Sequence, residues 1–166
     1  MLSEVADLFD GVAVAPASDR RLTQRLVNAW ARAARGYFPS WAAMKEMDLG
    51  DDWNWVFVVD LEQSVGFPYF IFLGDNLGKL SNVHLSGATD WTMSMLDKAS
   101  EDIYAAVASE GPHYRDDLLT LCDGRRVFLR AVTAPLADDG KNITHVVGAV
   151  SGRFATDTEA NFSPVA

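Results

Sequence analysis

The first regular pattern along the chain is an apolar stripe that predicts a helix over 20–35. Four residues repeat at steps of four, four and three, which places them on one helical face: Leu22, Leu26, Trp30 and Ala33. Ser18 or Asp19 can cap this helix because a side-chain oxygen accepts from its first backbone N–H groups, and Gly36 and Pro39 end it. Such a stripe must be buried, either on the sheet of its own domain or against a second copy of the chain.

Two aromatic and β-branched runs predict the first two strands. They cover 53–60 and 69–73, and the second run ends at Gly74. The segment 66–68 between them contains Gly and Pro and is typical of a turn. Two strands joined in this way form, most simply, an antiparallel hairpin.

The middle of the chain predicts a helix that begins at Asp90 and extends to Val107. Its apolar residues lie three or four positions apart: Trp91, Met95, Ala99 and Ile103. Gly111 and Pro112 end the pattern, as a C-terminal glycine followed by proline does. No regular pattern is evident over 79–89.

Three further strands are predicted over 114–122, 126–134 and 143–151. A two-residue turn at Asp123 and Gly124 joins the first pair, and a turn that starts at Pro135 and includes 138–140 joins the second. Strands grouped on both sides of a helical middle favour an α+β fold with an antiparallel sheet, since alternating βαβ units are missing.

Length and charge limit the classes of protein that remain. A chain of 166 residues forms one domain with a proper core. A formal net charge of −9 argues against binding to a nucleic-acid backbone. No export signal and no apolar run long enough to span a bilayer are visible, so we predict a cytoplasmic protein without membrane contact. We expect an N-terminal arm over 1–17, a single domain over 18–154 and a flexible tail over 155–166.

The order of these elements resembles the PAS domain family, and in particular the single-domain PAS proteins of alphaproteobacteria. The resemblance covers about residues 20–153 and rests on three segments: MKEMDLGDDWNWVFVVDLE, YFIFLGDNL and DGRRVFLRAVTAPLADDGKNITHVVGAVS. It implies a five-stranded antiparallel sheet with a helical insert between strands 2 and 3 and a leading N-terminal helix. It also implies a sensory module whose last three strands present a face to signalling helices or to a second protomer.

Motifs for cofactor, metal or catalytic chemistry are not found. The segment 74–81 has three residues between its glycines and Leu80 after its lysine, so it lacks the pattern of a phosphate-binding loop. The three histidines are far apart in the sequence and do not suit zinc: His84, His113 and His145. The light-oxygen-voltage (LOV) members of the superfamily need a cysteine within an Asn-Cys-Arg-type helix motif, whereas Cys122 precedes a turn. We predict no cofactor, no metal, no catalytic residue and no enzymatic activity.

A ligand pocket between the helical middle and the sheet is a further hypothesis. Its candidate lining is aromatic and methionine-rich: Phe72, Trp91, Met93, Met95, Tyr104 and Phe128. Arg130 shares a strand face with Phe128, because side chains alternate along a strand. Arg130 therefore either points inward and holds an anionic ligand, or lies on an outer docking face while Val127, Leu129 and Ala131 fill the core. The second assignment is the simpler one.

The sequence thus leads to two hypotheses on function. In the first, the chain is a non-enzymatic regulatory protein that acts through an unknown signalling partner, because no output domain is visible. In the second, it is a sensor that binds a small metabolite or cofactor, since ligand cavities are mostly apolar with few polar groups. We also predict a homodimer to which Leu22, Leu26 and Trp30 contribute.

Overall fold

A computed structural model describes residues 16–85 and 93–155 of the chain. The elements in chain order are α1 (Pro16–Ala33), α2 (Trp41–Lys45), a 3₁₀ helix (Gly50–Trp55), β1 (Val56–Asp60), β2 (Tyr69–Leu73), α3 (Asp75–Leu80), α4 (Met95–Ala99), α5 (Ile103–Ser109), β3 (His113–Thr120), β4 (Arg126–Leu136) and β5 (His145–Phe154).

The five strands form one antiparallel sheet in the order β2-β1-β5-β4-β3. The last strand, β5, lies in the centre, where Val58 pairs with Val147 on one side and Ala134 pairs with Val147 on the other. The predicted α+β class, the hairpin of the first two strands, the helical insert between strands 2 and 3 and the leading helix are all confirmed.

The sheet separates two apolar clusters. We call the side covered by α3, α4 and α5 the inner face; its strand residues include Phe57, Leu129 and Val150. We call the other side the outer face; it carries α1, and its strand residues include Val132 and Val147. All five of these strand side chains are at most 3% exposed, so burial on both faces supplies the main driving force for folding.

The apolar stripe of α1 packs on the sheet of its own chain. Leu26, Ala29 and Ala33 are buried in the cluster of the outer face, and Leu22 joins the cluster of the inner face. The indole Nε1 of Trp30 donates a hydrogen bond of 2.7 Å to the carbonyl oxygen of Pro135. The stripe is therefore buried within one chain. Of the two locations that the sequence left open, it packs on the sheet of its own domain and not against a second copy. The homodimer itself stays a prediction, but it needs another surface than Leu22 and Leu26.

Two predicted element boundaries were wrong on the N-terminal side of the fold, and one helix was not predicted. Helix α1 begins at Pro16, where proline fits the first helical turn because its missing N–H is not needed there. The first strand begins only at Val56, since Gly50–Trp55 form a 3₁₀ helix. A short helix, α3, occupies Asp75–Leu80, to which no element was assigned from the sequence, and it buries Leu77 and Leu80 against the inner cluster.

The predicted helix over 90–107 is two short helices in the described part of that segment, whose first residues lie outside the described ranges. Helix α4 begins with a capping box, in which Ser94 and Asp97 satisfy each other's backbone N–H groups. It ends at Ala99, followed by the C-cap Ser100, whose hydroxyl donates to the carbonyl of Leu96. Helix α5 then begins at Ile103. Side-chain bonding to the backbone competes with helix continuation at such positions.

Strand β4 continues through Pro135, where a turn was predicted. Strand β3 pairs with β4 only up to Thr133, so Pro135 has a neighbour on the β5 side alone. The Pro135 carbonyl points toward the indole of Trp30, away from β5. Since N and C=O of one residue point to the same side of a strand, the missing N–H costs no ladder hydrogen bond, and proline is tolerated at this edge position.

A β-bulge in β2 sends two phenylalanines to opposite faces. Val58 pairs with Phe72 and Val59 pairs with Phe70, so Ile71 is the extra residue. Phe70 packs edge-on against Phe57 in the inner cluster, with ring centroids 5.8 Å apart. Phe72 packs in the outer cluster instead. Without the bulge, residues two apart would share one face.

Candidate functional site

The space between the helical insert and the sheet is lined, among the described residues, mainly by apolar side chains. Met95, Ile103 and Ala106 from the helices face Leu129 and Val150 from the strands, and all are at most 3% exposed. Among the described pocket candidates from the sequence, Met95 is the one that lies here with its side chain fully buried. A lining of this kind suits an apolar ligand or a core that is filled by its own side chains.

One polar group interrupts this apolar lining. Thr133 follows Ala131 by two residues on β4, which puts it on the inner face, and it is 2% exposed. Its Oγ1 has no hydrogen-bond partner in the part of the chain that the structure describes. A buried hydroxyl without a partner costs free energy, so this position is one where a ligand atom would be stabilised. Thr133 is not among the residues predicted from the sequence, although its register after Val127, Leu129 and Ala131 could have identified it.

The other predicted pocket residues do not gather around this space. Phe72 lies in the outer cluster, where its ring centroid is 5.6 Å from Trp41 and 5.5 Å from Trp53. Tyr104 lies on the solvent side of α5 and is 56% exposed, and Met93 is 40% exposed. Trp91 lies outside the described residues. The predicted lining of the pocket is therefore wrong at these positions. The bulge in β2 turns Phe72 to the outer face, and the break before α5 leaves Tyr104 on the solvent side.

Phe128 and Arg130 lie on the outer face, and the simpler of the two assignments is confirmed. Val127, Leu129 and Ala131 are buried in the inner cluster, so the residues between them face the other way. Arg130 forms a two-point contact with Asp116 across the β3–β4 pair, at 2.8 Å and 2.9 Å from its Nε and Nη2. The inward-facing, anion-binding arginine is thereby excluded.

These two residues belong to a continuous surface on strands β3 to β5, which we call the arginine–aromatic strip. Cross-strand pairing aligns its members: Tyr114, Asp116, Leu118, Phe128, Arg130 and Arg153. The guanidinium carbon of Arg153 lies 4.8 Å from the ring centroid of Phe128, a cation–π contact. Tyr114 is 50% exposed, and partial burial raises the pKa of its hydroxyl.

A charged network on β3 holds the sheet to the helical insert. Arg115 contacts Asp102 at the start of α5 at 3.0 Å and Asp117 on its own strand at 2.6 Å. Burial opposes the charge of Arg115, but the hydrogen bond to Asp102 and the nearby carboxylates outweigh it, and its pKa is raised. Since each of these groups already has a partner of opposite charge, the network is structural and stabilises the position of α5.

The three histidines lie at different places in the described structure. His113 approaches Asp102, and His145 lies between Asp60 and Asp138. His84 lies beside Cys122, whose backbone N–H donates to the His84 carbonyl at 3.2 Å. Within the described residues, no three His, Cys, Asp or Glu side chains are grouped as a metal site. Cys122 follows β3 at the surface, and its Sγ donates to the carbonyl of Leu85 at 3.4 Å.

None of the helices in the described ranges has the length and the hydrophobicity that crossing a membrane requires.

Comparison with known proteins reveals similarity at the level of solved structures only. No protein-family model matches the chain, and no curated protein matches it in sequence. The dark structure of the blue-light photoreceptor Aureochrome1 LOV is 16% identical, with a TM-score of 0.44, over 74% of this chain and 88% of that one. The PAS domain from Bordetella pertussis BvgS is 17% identical, with a TM-score of 0.36, over 59% of this chain and 72% of that one. A fungal LOV domain photoreceptor is 13% identical, with a TM-score of 0.38, over 64% of this chain and 80% of that one.

The matched structures are LOV and PAS domains.

Proposed function

We propose that the chain is a PAS-type sensory and regulatory module that acts through protein–protein contacts at the arginine–aromatic strip. The strip itself is the observation that carries this proposal. Tyrosine and arginine are the residues that most often dominate binding energy in protein interfaces, and here they lie side by side on one sheet face. The proposed protein is non-enzymatic and cytoplasmic, and its partner is a signalling protein.

The strip supports this role because its side chains are held in place before any partner arrives. The two-point contact with Asp116 orients the guanidinium of Arg130, and the ring of Phe128 lies against Arg153. Each member stands on a paired strand, so the backbone beneath it is rigid. Preorganised side chains lose less conformational entropy on binding, which favours a specific partner over non-specific adhesion.

The test is capture of partners from an extract of the native cell, with Tyr114→Ala and Phe128→Ala compared with the unchanged chain. We expect each change to lower the affinity for the captured protein more than tenfold, because loss of a central interface residue costs about 2 kcal/mol or more. Tyr37→Ala is the matched control, since Tyr37 is 74% exposed on a different surface. Equal capture by all four proteins, or no specific capture by the unchanged chain, would contradict the proposal.

A second candidate function is the binding of a small ligand between the helical insert and the sheet. The specific observation in its favour is the buried, unpartnered Oγ1 of Thr133 among the described residues. In this role a ligand would supply the missing hydrogen bond, and the apolar side chains around it would bury the rest of the ligand.

The variant Thr133→Val tests whether the Thr133 hydroxyl binds a ligand or is an unpaired group that the core accommodates without one. Valine has nearly the same shape, so we expect the empty protein to be at least as stable, because an unsatisfied polar group is removed. If Thr133 serves a ligand, native mass spectrometry should detect bound small-molecule mass on the gently purified chain and clearly less on Thr133→Val. An equal bound mass on both proteins, or none on either, would count against this candidate.

A further inference from the structure

Three arginines surround the ring of Phe128 at one end of the outer face. Arg126 and Arg130 stand two residues before and two residues after it on β4, so all three side chains point to the same face. Arg153 pairs with Phe128 from β5, and its guanidinium carbon lies 4.8 Å from the ring centroid. Leu118 pairs with Phe128 from β3 on the other side. An apolar centre is thus bordered by cations on three sides.

The positive charge of this surface contrasts with the charge of the chain as a whole. The three arginines are opposed by one carboxylate, that of Asp116, among the described residues that point to the outer face from β3, β4 and β5. The whole chain carries a formal net charge of −9. A local reversal of sign steers a negatively charged partner to one place, while the remaining surface repels a long polyanion such as a nucleic acid.

We propose that the arginine–aromatic strip recognises an acidic, extended peptide segment of its partner, with one apolar residue between two carboxylates. The inference rests on the proposed function and names the chemistry of the partner. Arg126 and Arg130 each lie about 6.6 Å along β4 from Phe128, since a strand rises about 3.3 Å per residue. Side chains two residues apart in an extended peptide have the same spacing and share a face. An apolar residue over Phe128 therefore places an acidic residue beside each of the two arginines.

The chain already contains one contact of the kind that such a partner would make. Arg130 donates two hydrogen bonds to the carboxylate of Asp116, at 2.8 Å and 2.9 Å, which is the geometry in which a guanidinium group binds a carboxylate best. The side chain of Asp116 is 64% exposed, so an incoming carboxylate can replace it or bind beside it. Charge, and not apolar contact alone, should therefore determine which segment binds.

The test is the fluorescence anisotropy of a labelled peptide, Gly-Glu-Ser-Leu-Ser-Glu-Gly, titrated with the full chain. The matched probe carries glutamine in place of both glutamates. We expect the acidic peptide to bind at least about fivefold more tightly than the glutamine peptide, because two ion pairs are lost in the latter. Its affinity should also fall at least about threefold between about 50 mM and about 300 mM salt, since salt screens exposed charges.

Charge variants of the chain locate the binding site. Arg153→Gln and Arg126→Gln should each weaken binding of the acidic peptide at least about threefold, and Arg153→Lys, which keeps the charge, should weaken it less. Lys79→Gln is the matched control, because Lys79 is an exposed cation on α3, on the other side of the sheet. Denaturant unfolding identifies which variants are folded. Equal affinity for both peptides, or an equal loss with Lys79→Gln, overturns the proposal.

Other occupants of the strip give different results in the same titrations. Tighter binding of a labelled single-stranded oligonucleotide than of the acidic peptide would assign the strip to nucleic acid. Sedimentation in which self-association of the chain displaces the peptide would assign it to a second copy. Either result overturns the proposal. If the peptide fails to bind but Phe128→Ala still loses a captured partner, the acidic chemistry is wrong and the proposed function stands. Absence of any specific capture contradicts the proposed function itself.

Discussion

Truncation of Leu26 to alanine is expected to lower the free energy of unfolding by about 2–5 kcal/mol and to leave the mass of the folded protein in solution unchanged. Leu26 is 1% exposed beneath α1, in the cluster with Val132 and Val147. Removing a buried leucine side chain costs its transfer free energy and leaves a cavity. Denaturant unfolding followed by tryptophan fluorescence measures the first quantity, and sedimentation measures the second.

Asn28→Ala is the matched control on the same helix. Asn28 is exposed and accepts a side-chain hydrogen bond from Gln24, so the change should alter stability by no more than about 0.5 kcal/mol. The opposite pattern for Leu26→Ala, a halved mass with unchanged unfolding, would show that the stripe of α1 is an interface between chains and that its burial in one chain is wrong.

Replacement of Gly148 with alanine is expected to destabilise the domain by about 1–3 kcal/mol. Gly148 pairs with Phe57 across β1 and β5, and the Phe57 ring lies directly over it. A Cβ at position 148 would overlap three carbons of that ring. Phe57 is fully buried and also packs against Phe70, so the ring cannot move away without disturbing the inner cluster, and overpacking of this kind is destabilising.

Two further variants give this prediction its controls, both measured by denaturant unfolding. Gly78→Ala should stabilise the protein by about 0.5–1 kcal/mol, because Gly78 lies in α3 and a methyl group there would be 3.9 Å from its nearest neighbour, an ordinary contact. Phe57→Leu combined with Gly148→Ala should cost less than the sum of the two single changes, since the smaller side chain leaves room for the methyl group. Additive costs would mean that the Phe57 ring is not what excludes a side chain at Gly148.

The strands, and the side of the sheet to which each of their side chains points, could be predicted from the sequence because the signals for both are local. The alternation of Val127, Leu129 and Ala131 with Phe128 and Arg130 defines which residues of β4 enter the core, and the structure confirms it. The turn at Asp123 and Gly124 was predictable for the same reason, since Gly124 adopts a φ of +89°. Such a conformation costs glycine little and other residues more.

The wrong predictions concern features that depend on contacts between residues far apart in the sequence. Proline at position 135 argues for a turn until the neighbouring strand β3 is known to begin at His113, opposite Thr133, and so not to reach Pro135. The direction of Phe72 depends on a bulge that only the pairing with β1 reveals. The prediction of the candidate site was the least accurate, because a pocket is formed by several elements at once. Residues with suitable side chains were identified, but the sequence did not show which side of the sheet or helix each of them occupies.

The central position of β5 bears on how the chain folds as it is synthesised. The β1–β2 hairpin is synthesised long before β5, whereas the β3–β4 hairpin directly precedes β5 in the chain. Each hairpin keeps an open edge until β5 joins both. At about 5–20 residues per second, β1 waits several seconds for its second neighbour. A nascent chain that stops before β5 has two unconnected half-sheets, and pairings so distant in sequence form slowly. The domain is therefore exposed to chaperones and to misassembly for most of its synthesis, and becomes one folding unit only near its end.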